Sequence, residues 1–278
     1  MHIDDLRVQR GDFAVEGATF AVEPGSVVGL VGPNGAGKTT MIRAMLGLVR
    51  ADGGTVEVLG QPAGSPAALA QVGVVLDRPT AAAEWRVSSI GSRLAPFYPA
   101  WDDDRFAALL DRLGVGAQQR VGELSRGQGV KLALASALAQ SPRLLVLDEP
   151  SSGLDPASRR VIATLIREFM LDEQHAVLFS THITEELDEL ADALVIVAHG
   201  RVARQGPLPD VVESYAVVRG SGSIPSAPLI GLERSGEHWS ALIEVADSAS
   251  FGPEVVIDAA RIDDIVVHLA ADRQAVRA

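Results

Sequence analysis

The chain has 278 residues, of which 47% are hydrophobic and 22% are charged, as in a folded protein with one large domain, alone or with an appendage. The formal charge of -12 disfavours non-specific attraction to nucleic acid or to an anionic membrane surface. Because cysteine is absent, disulfides, thiolate metal ligands and thiol nucleophiles are excluded. We expect a cytoplasmic protein, because no signal peptide is evident and no apolar run approaches the ~18 residues that span a bilayer.

A glycine-rich loop joins the first clear strand to the first clear helix. Val27–Val31 is an apolar run typical of a buried strand, and apolar residues recur at helical spacing from Thr39 to Leu48. The loop itself reads Gly32-Pro33-Asn34-Gly35-Ala36-Gly37-Lys38-Thr39. Two glycines separated by four residues and followed by Lys and Thr form the pattern of a phosphate-binding loop (Walker A), whose backbone N–H groups surround phosphate oxygens. The alternative is a tight turn that binds nothing.

In such a loop the last residues have separate roles. Lys38 is expected to reach the β- and γ-phosphates of a nucleotide, and the Thr39 hydroxyl suits Mg²⁺. The candidate nucleotide-binding residues also include Thr40, which follows them.

The later elements predict an α/β fold. Strands are predicted at Thr55–Leu59, Val72–Leu76, Leu144–Leu147, Ala176–Phe179 and Leu194–Val197. Helical patterns between some of them indicate a layered α/β core. Residues from about 85 to 140 show helical patterns only, including Asp102–Leu113 and Gly129–Ala139, which indicates a helical insertion.

A Gly/Ser/Pro-rich stretch at 220–228 is predicted to be a linker or a long loop. Beyond it we predict a strand at Trp239–Val245 and a helix at Ala260–Ala271. The region 220–278 is therefore expected to be a small α+β appendage.

Two acids follow the predicted strand Leu144–Leu147, namely Asp148 and Glu149. The carboxyl ends of strands in α/β sheets are where ligands usually bind. Asp148 is placed to serve Mg²⁺, and Glu149 to polarise a water that attacks a γ-phosphate. Taken without the upstream loop, the pair would more often cap the next turn.

These motifs together resemble those of the ATP-binding-cassette (ABC) transporter family of P-loop NTPases, over residues 2 to 210. The additional matches are Leu124-Ser125-Arg126-Gly127-Gln128, Ser152-Gly153-Leu154-Asp155 and Ser180-Thr181-His182. The resemblance implies an ATPase domain at 1–210, with the helical insertion at about 85–140. It also implies that Ser125, Gly127 and Gln128 contact ATP held by an opposite subunit, and that His182 contacts the γ-phosphate. Asp155 would link the two sites of a dimer, or would simply start a helix before Pro156.

Three positions depart from the family pattern or leave it open. Asp77 stands where the family commonly has Gln; it is either a further ligand of Mg²⁺ or water, or an exposed loop acid. Arg126 replaces a glycine of the signature. Phe13 is the nearest aromatic to the expected adenine-stacking position, with an ordinary core role as the alternative.

The leading functional hypothesis is an ATP-hydrolysing subunit that powers transport, and more specifically export. Its partners would be polytopic membrane permease subunits and a second ATPase subunit, in a homodimer or a heterodimer. Such a chain would sit at the cytoplasmic face of the cell membrane. The alternatives are a non-transport ABC ATPase acting on a ribosome or nucleic acid, and a binding module in which ATP controls association. The charge of -12 argues against nucleic acid.

Overall fold

The computed structural model of the chain describes residues 1–76 and 81–272. The strands, in chain order, are β1 (His2–Arg10), β2 (Phe13–Ala21), β3 (Val27–Val31), β4 (Gly53–Val58), β5 (Gln61–Pro62), β6 (Val72–Val75), β7 (Leu144–Asp148), β8 (Ala176–Thr181), β9 (Ala193–Ala198), β10 (Arg201–Pro207), β11 (Tyr215–Ser221), β12 (Ile230–Ser235), β13 (His238–Glu244) and β14 (Val256–Ala259). The α-helices are α1 (Lys38–Met45), α2 (Pro66–Leu69), α3 (Ile90–Leu94), α4 (Asp103–Leu113), α5 (Arg126–Ala139), α6 (Pro156–Phe169), α7 (Glu185–Leu190), α8 (Leu208–Glu213) and α9 (Ile262–Ala271).

A six-stranded sheet in the order β10-β9-β3-β8-β7-β6 forms the centre of the molecule. Strands β9, β3, β8, β7 and β6 run parallel, and only β10 is antiparallel to its neighbour. Every residue of β3, β7 and β8 is buried, as expected for apolar runs covered on both faces. The predicted α/β fold is therefore confirmed, and the carboxyl ends of the five parallel strands share one edge.

A second, antiparallel sheet has the order β2-β1-β4-β5. The predicted strand Thr55–Leu59 belongs to this sheet, as β4. The sequence does not predict β1, because two consecutive acids, Asp4 and Asp5, interrupt its alternation of apolar and polar residues. In the structure Asp5 has φ 49, and the pairing with β2 shifts register between Ile3 and Leu6. This sheet brings Phe13, the first residue of β2, towards the start of α1.

The described part of the segment between β6 and β7 is helical, with α3, α4 and α5 and an isolated bridge between Arg86 and Arg120. Asp102 caps α4 by accepting a hydrogen bond from the Arg105 N–H at 2.8 Å. Buried side chains of α4 and α5 join the same apolar cluster as β7 and α6. Within residues 1–76 and 81–272, every helix is too short or too polar to serve as a membrane span.

The third sheet lies in the C-terminal part of the chain, in the order β12-β13-β11-β14, and all its pairs are antiparallel. It begins at Tyr215, ahead of the predicted boundary at 220, because Tyr215 to Val218 form a buried strand segment. The Gly/Ser/Pro-rich stretch at 220–228 begins with the last two residues of β11 and continues into the loop between β11 and β12. Helix α9 covers one face of this sheet, and its buried apolar residues belong to the main apolar cluster.

Candidate functional site

The glycine-rich loop connects β3 to α1 at the carboxyl edge of the central sheet. At two of its glycines the backbone is packed too closely for a side chain. A Cβ at Gly32 would lie 2.2 Å from the Val197 carbonyl oxygen. Gly37, the N-cap of α1, has φ 115, and a Cβ there would lie 2.9 Å from the Phe13 ring. The loop therefore has the close backbone packing expected of a phosphate-binding loop.

Lys38, the first residue of α1, is buried although it carries a charge, with 6% of its surface exposed. Its Nζ donates to the Gly32 carbonyl at 2.7 Å and to the Pro33 carbonyl at 3.4 Å. It also lies 3.3 Å from Oε1 of Glu149. A buried ammonium group needs such partners. The two carbonyls and the Glu149 carboxylate therefore fix the position of the Lys38 ammonium beside the loop.

The two acids at the end of β7, Asp148 and Glu149, have different surroundings. Asp148 is fully buried and its Oδ1 accepts a hydrogen bond from the Ser180 hydroxyl at 2.7 Å. Glu149 has φ 53, a conformation that non-glycine residues rarely adopt. Its N–H is directed to the Ser180 carbonyl at 3.0 Å and to the Ser180 hydroxyl at 3.2 Å. Ser180 thus orients both acids. The sequence predicts Ser180 only as part of the Ser180-Thr181-His182 motif, not in this role.

His182 follows β8 and completes a row of charged and polar groups. Its Nδ1 lies 2.5 Å from Oε2 of Glu149. An ionised carboxylate only accepts hydrogen bonds, so Nδ1 carries the hydrogen when Glu149 is charged. The carboxylate of Glu149 therefore lies between the ammonium of Lys38 and the imidazole of His182.

A cavity of about 710 Å³ opens over this row. The predicted residues that line it are Asn34, Gly35, Ala36, Gly37, Lys38, Thr39, Thr40, Glu149 and His182. Phe13, Arg126 and Ser152 line it as well. Gly32 and Asp148 are buried beneath it, and Pro33 lines an adjoining cavity that Phe13 also borders. Phe13 is only partly buried and faces both cavities, so it is accessible to a ligand.

The signature residues lie at the start of α5, and Ser125, Gly127 and Gln128 do not line this cavity. Ser125 and Gln128 cap the helix reciprocally: the Gln128 N–H donates to the Ser125 hydroxyl at 3.2 Å, and the Ser125 N–H to Oε1 of Gln128 at 3.0 Å. The Arg126 guanidinium donates to the Ser152 hydroxyl at 3.1 Å. Arg126 therefore connects the signature to the turn that follows Glu149.

Two further acids stabilise the loops beside the site. Asp155 caps α6, and hydrogen bonds from Ser158 lower the pKa of its carboxyl group. Glu186 accepts a hydrogen bond from the Ser151 hydroxyl at 2.6 Å, and burial raises its pKa. Neither the Glu186 contact nor its burial is visible from the sequence.

Thr39 in α1 and Asp148 at the end of β7 supply a hydroxyl and a carboxylate, donors of the hard oxygen type that Mg²⁺ prefers. Thr39 faces the cavity, and Ser180 already orients the Asp148 carboxylate. This donor set fits Mg²⁺. Asp77, the third predicted ligand, lies outside the described residues.

The sequence profile described as "ABC transporter" matches residues 15–152. A "Nod factor export ATP-binding protein I" of Rhizobium sp. (strain N33) is 38% identical over 208 residues, covering 72% of this chain and 68% of that protein. The chain belongs to the ABC transporter family. It is an ATP-binding subunit of such a transporter, and the family consists of ATPases. The family resemblance that its sequence motifs indicate is therefore confirmed.

Other comparisons agree with this ABC assignment. The protein of the same name from Burkholderia orbicola (strain AU 1054) is 37% identical and covers 76% of this chain and 73% of that protein. A solved ATP-binding subunit of an ABC transporter superposes with a TM-score of 0.67 at 28% identity, over 76% of this chain and 90% of that one. The cbiO1 structure from Clostridium perfringens, part of the ABC transporter complex cbiONQ, shares the fold, with a TM-score of 0.61 at 24% identity over 76% of this chain and 89% of that one.

Proposed function

We infer that this subunit hydrolyses MgATP at the described cavity and thereby powers export through separate polytopic membrane subunits, at the cytoplasmic face of the cell membrane. The observation that carries this inference is the row of Lys38, Glu149 and His182 over the glycine-rich loop. Export is supported by the relatives, whose names describe export ATP-binding proteins.

The residues of the row have separate tasks in hydrolysis. Backbone N–H groups of the loop and Lys38 bind the phosphates. The carboxylate of Glu149 orients a water whose oxygen bonds to the γ-phosphorus as the bond to the β,γ-bridging oxygen breaks, and it accepts the proton of that water. His182 holds Glu149 in place through Nδ1 and contacts the γ-phosphate. Phe13 stacks on the adenine.

Mg²⁺ would be held by Thr39 and Asp148, with Asp77 as a further ligand, and it would neutralise charge on the β- and γ-phosphates. Ser125, Gly127 and Gln128 would contact the ATP of a second ATPase subunit, in a homodimer or a heterodimer. The exposed start of α5 supports this role, because these residues do not face the cavity of their own chain. The division into an ATPase domain at 1–210 and an accessory region at 220–278 belongs to the same proposal.

A groove for the membrane subunit lies between the helical segment and the central sheet. Its cavity of about 390 Å³ is lined mainly by apolar side chains, among them Leu48, Trp85 and Leu94. Leu76 and Ala81, which flank the segment containing Asp77, line it too. A helix or loop of the permease with an apolar face fits this groove, because an exposed apolar groove of this kind usually marks an interaction site.

The test is recovery of the tagged chain from gently solubilised native membranes, with partners identified by mass spectrometry and MgATP turnover measured in the recovered complex. We expect a polytopic partner and stimulated turnover. Recovery with ribosomes or nucleic acid and without a membrane protein would favour a non-transport ATPase. A membrane complex that binds ATP without turning it over would favour the binding module.

A further inference from the structure

The C-terminal helix α9 is hydrogen-bonded at both ends to loops of the active site. Near its start, Oδ1 of Asp263 accepts from the Thr184 hydroxyl at 2.5 Å, across 79 residues of sequence. In its last turn, the Ala270 carbonyl oxygen lies 2.7 Å from Nε2 of His199. Neither contact involves a residue that the phosphate-binding motifs include.

Thr184 lies two residues after His182 and is buried. It is the N-cap of α7, yet its side chain makes no capping hydrogen bond to that helix. The hydroxyl at a threonine N-cap usually bonds an N–H of its own helix, but here it donates to Asp263 instead. At the other end of this short segment, the Ile183 N–H donates to the Thr181 hydroxyl at 2.9 Å. The segment carrying His182 is thus fixed on both sides.

Asp263 is not needed to cap its own helix. The neighbouring Asp264 performs that task by accepting from the Arg261 N–H at 3.0 Å. Asp263 lies near a further acid, Asp188. Burial raises the pKa of Asp188, the charges of Asp263 and Glu185 raise it further, and Arg261 acts in the opposite direction. Asp263 is itself exposed, and the Thr184 hydroxyl donates to its carboxylate.

The opposite end of α9 reaches the glycine-rich loop through a single turn. His199 donates from Nε2 to Ala270, because a carbonyl oxygen can only accept. The next residue, Gly200, donates its N–H to the Ala36 carbonyl at 2.9 Å and accepts from the Glu16 N–H at 2.9 Å. The turn between β9 and β10 therefore contacts α9, the phosphate-binding loop and β2 together.

Between these two ends α9 is packed against the ATPase core. Ile262 and Ile265 are buried in the same apolar cluster as Leu187 of α7. Leu187 in turn contacts β3, since a Cβ at Gly29 would lie 2.6 Å from it. A displacement of α9 would consequently change the packing of α7 and the position of the loop before α7.

We propose that α9 sets the position of the His182 loop through the Thr184–Asp263 hydrogen bond, which makes Asp263 and Thr184 positioning residues for ATP hydrolysis. This inference rests on the proposed function, in which His182 holds Glu149. Loss of the bond leaves a buried hydroxyl without its acceptor and lets the loop shift. Because small misplacements of catalytic groups slow the chemical step, kcat falls while the binding of ATP by the glycine-rich loop is retained.

The test uses the full chain with Asp263→Ala, Thr184→Val and their double variant. Val267→Ala is the matched control, because Val267 lies on the same helix and is 50% exposed, so its truncation leaves the Thr184–Asp263 bond and the Asp264 cap in place. Thr184→Ser keeps the hydroxyl and serves as the conservative variant. Two readouts are compared with those of the wild type: steady-state MgATP turnover, separated into kcat and KM, and hydrogen exchange of the amides of residues 182–188.

In Asp263→Ala and Thr184→Val, kcat is expected to fall roughly tenfold, with KM for ATP within about twofold of the wild type. Hydrogen exchange at 182–188 is expected to accelerate in both variants. The kcat of the double variant should be no lower than that of either single variant, and Thr184→Ser should retain the kcat of the wild type. Unchanged exchange and kcat in Asp263→Ala, or an equal kcat loss in Val267→Ala, would overturn the proposal. A wild type without turnover would contradict the proposed function instead, and exchange at 182–188 would then decide the role of Asp263.

Discussion

At the scale of single residues, the site depends on a backbone conformation that its sequence does not favour. Glu149 has φ 53, and two contacts from its N–H to Ser180 hold it there. Strain of this kind costs on the order of 1–3 kcal/mol and persists only where neighbouring groups enforce it. This backbone conformation places the Glu149 carboxylate between Lys38 and His182.

Phe13 provides a test of the two roles that its position allows. If it stacks on adenine, Phe13→Ala weakens ATP binding about two- to twelvefold, since a stacking contact contributes about 0.5–1.5 kcal/mol. Phe13→Tyr then retains the affinity. The measurement is ATP affinity by titration calorimetry, with Phe97→Ala as control, because Phe97 is 73% exposed and does not line the cavity. Lower thermal stability with unchanged affinity in Phe13→Ala would assign it to the core alone.

The sequence predicts the residues of the site better than their contacts. The glycine-rich loop, Asp148, Glu149 and His182 are recognisable because local spacing encodes them. The Ser180 contacts to both acids and the Thr184–Asp263 bond depend on strands and helices that lie far apart in the chain. Similarly, the C-terminal sheet pairs β11 with β13 and β14, and no local pattern specifies those partners.

At the scale of elements, the start of α6 predicts a pH-dependent contribution to stability. Hydrogen bonds from Ser158 lower the pKa of Asp155 from its ordinary value of 3.8, so the stabilising contribution is present above that value. It is lost as the pH falls through the lower pKa of the folded state. Asp155→Ala is therefore expected to lower the free energy of unfolding at pH 7 and at pH 5.

Urea unfolding of the wild type and Asp155→Ala at pH 7, pH 5 and pH 3 measures this difference. We expect an equal gap at the two higher pH values and a smaller gap at pH 3. A gap that persists undiminished at pH 3 would mean that the carboxylate charge does not stabilise α6. Asp155→Asn keeps a side-chain acceptor and should lie between the two proteins at pH 7.

The groove between the helical segment and the central sheet predicts where the membrane subunit docks. Leu48 is 61% exposed and lines this groove. Leu48→Glu is expected to reduce co-purification of the membrane partner at least about tenfold, because a charge would be buried in an apolar contact. Leu171 is 84% exposed and does not line the groove, so Leu171→Glu is the matched control. Equal recovery of the partner by both variants would place docking elsewhere.

At the scale of the whole molecule, the C-terminal sheet and the ATPase core share one apolar cluster. Tyr215, Leu242 and Ile265 belong to the same cluster as Leu194 of the central sheet. A shared core favours cooperative unfolding, so we expect one thermal transition for the two parts. This arrangement also explains how α9 can act on the loops of the active site.

Ile265→Ala tests this shared core. The side chain is fully buried, and its truncation is expected to cost about 2–5 kcal/mol and to shift the single transition of the whole chain. Val267 lies on the same helix and is 50% exposed, so Val267→Ala should stay within about 0.5 kcal/mol of the wild type. Two separate transitions, of which Ile265→Ala moves only one, would show that the C-terminal sheet folds independently.

We propose that Glu149 is the group that enables ATP hydrolysis at the row it forms with Lys38 and His182. The most direct measurement is MgATP turnover together with ATP-dependent dimerisation in Glu149→Gln. Glu237→Gln is the control, since Glu237 is exposed near the turn between β12 and β13. We predict that Glu149→Gln lowers turnover roughly 100-fold or more while ATP binding persists and the closed dimer lives longer. Dimerisation on ATP with undiminished turnover would contradict the role assigned to Glu149.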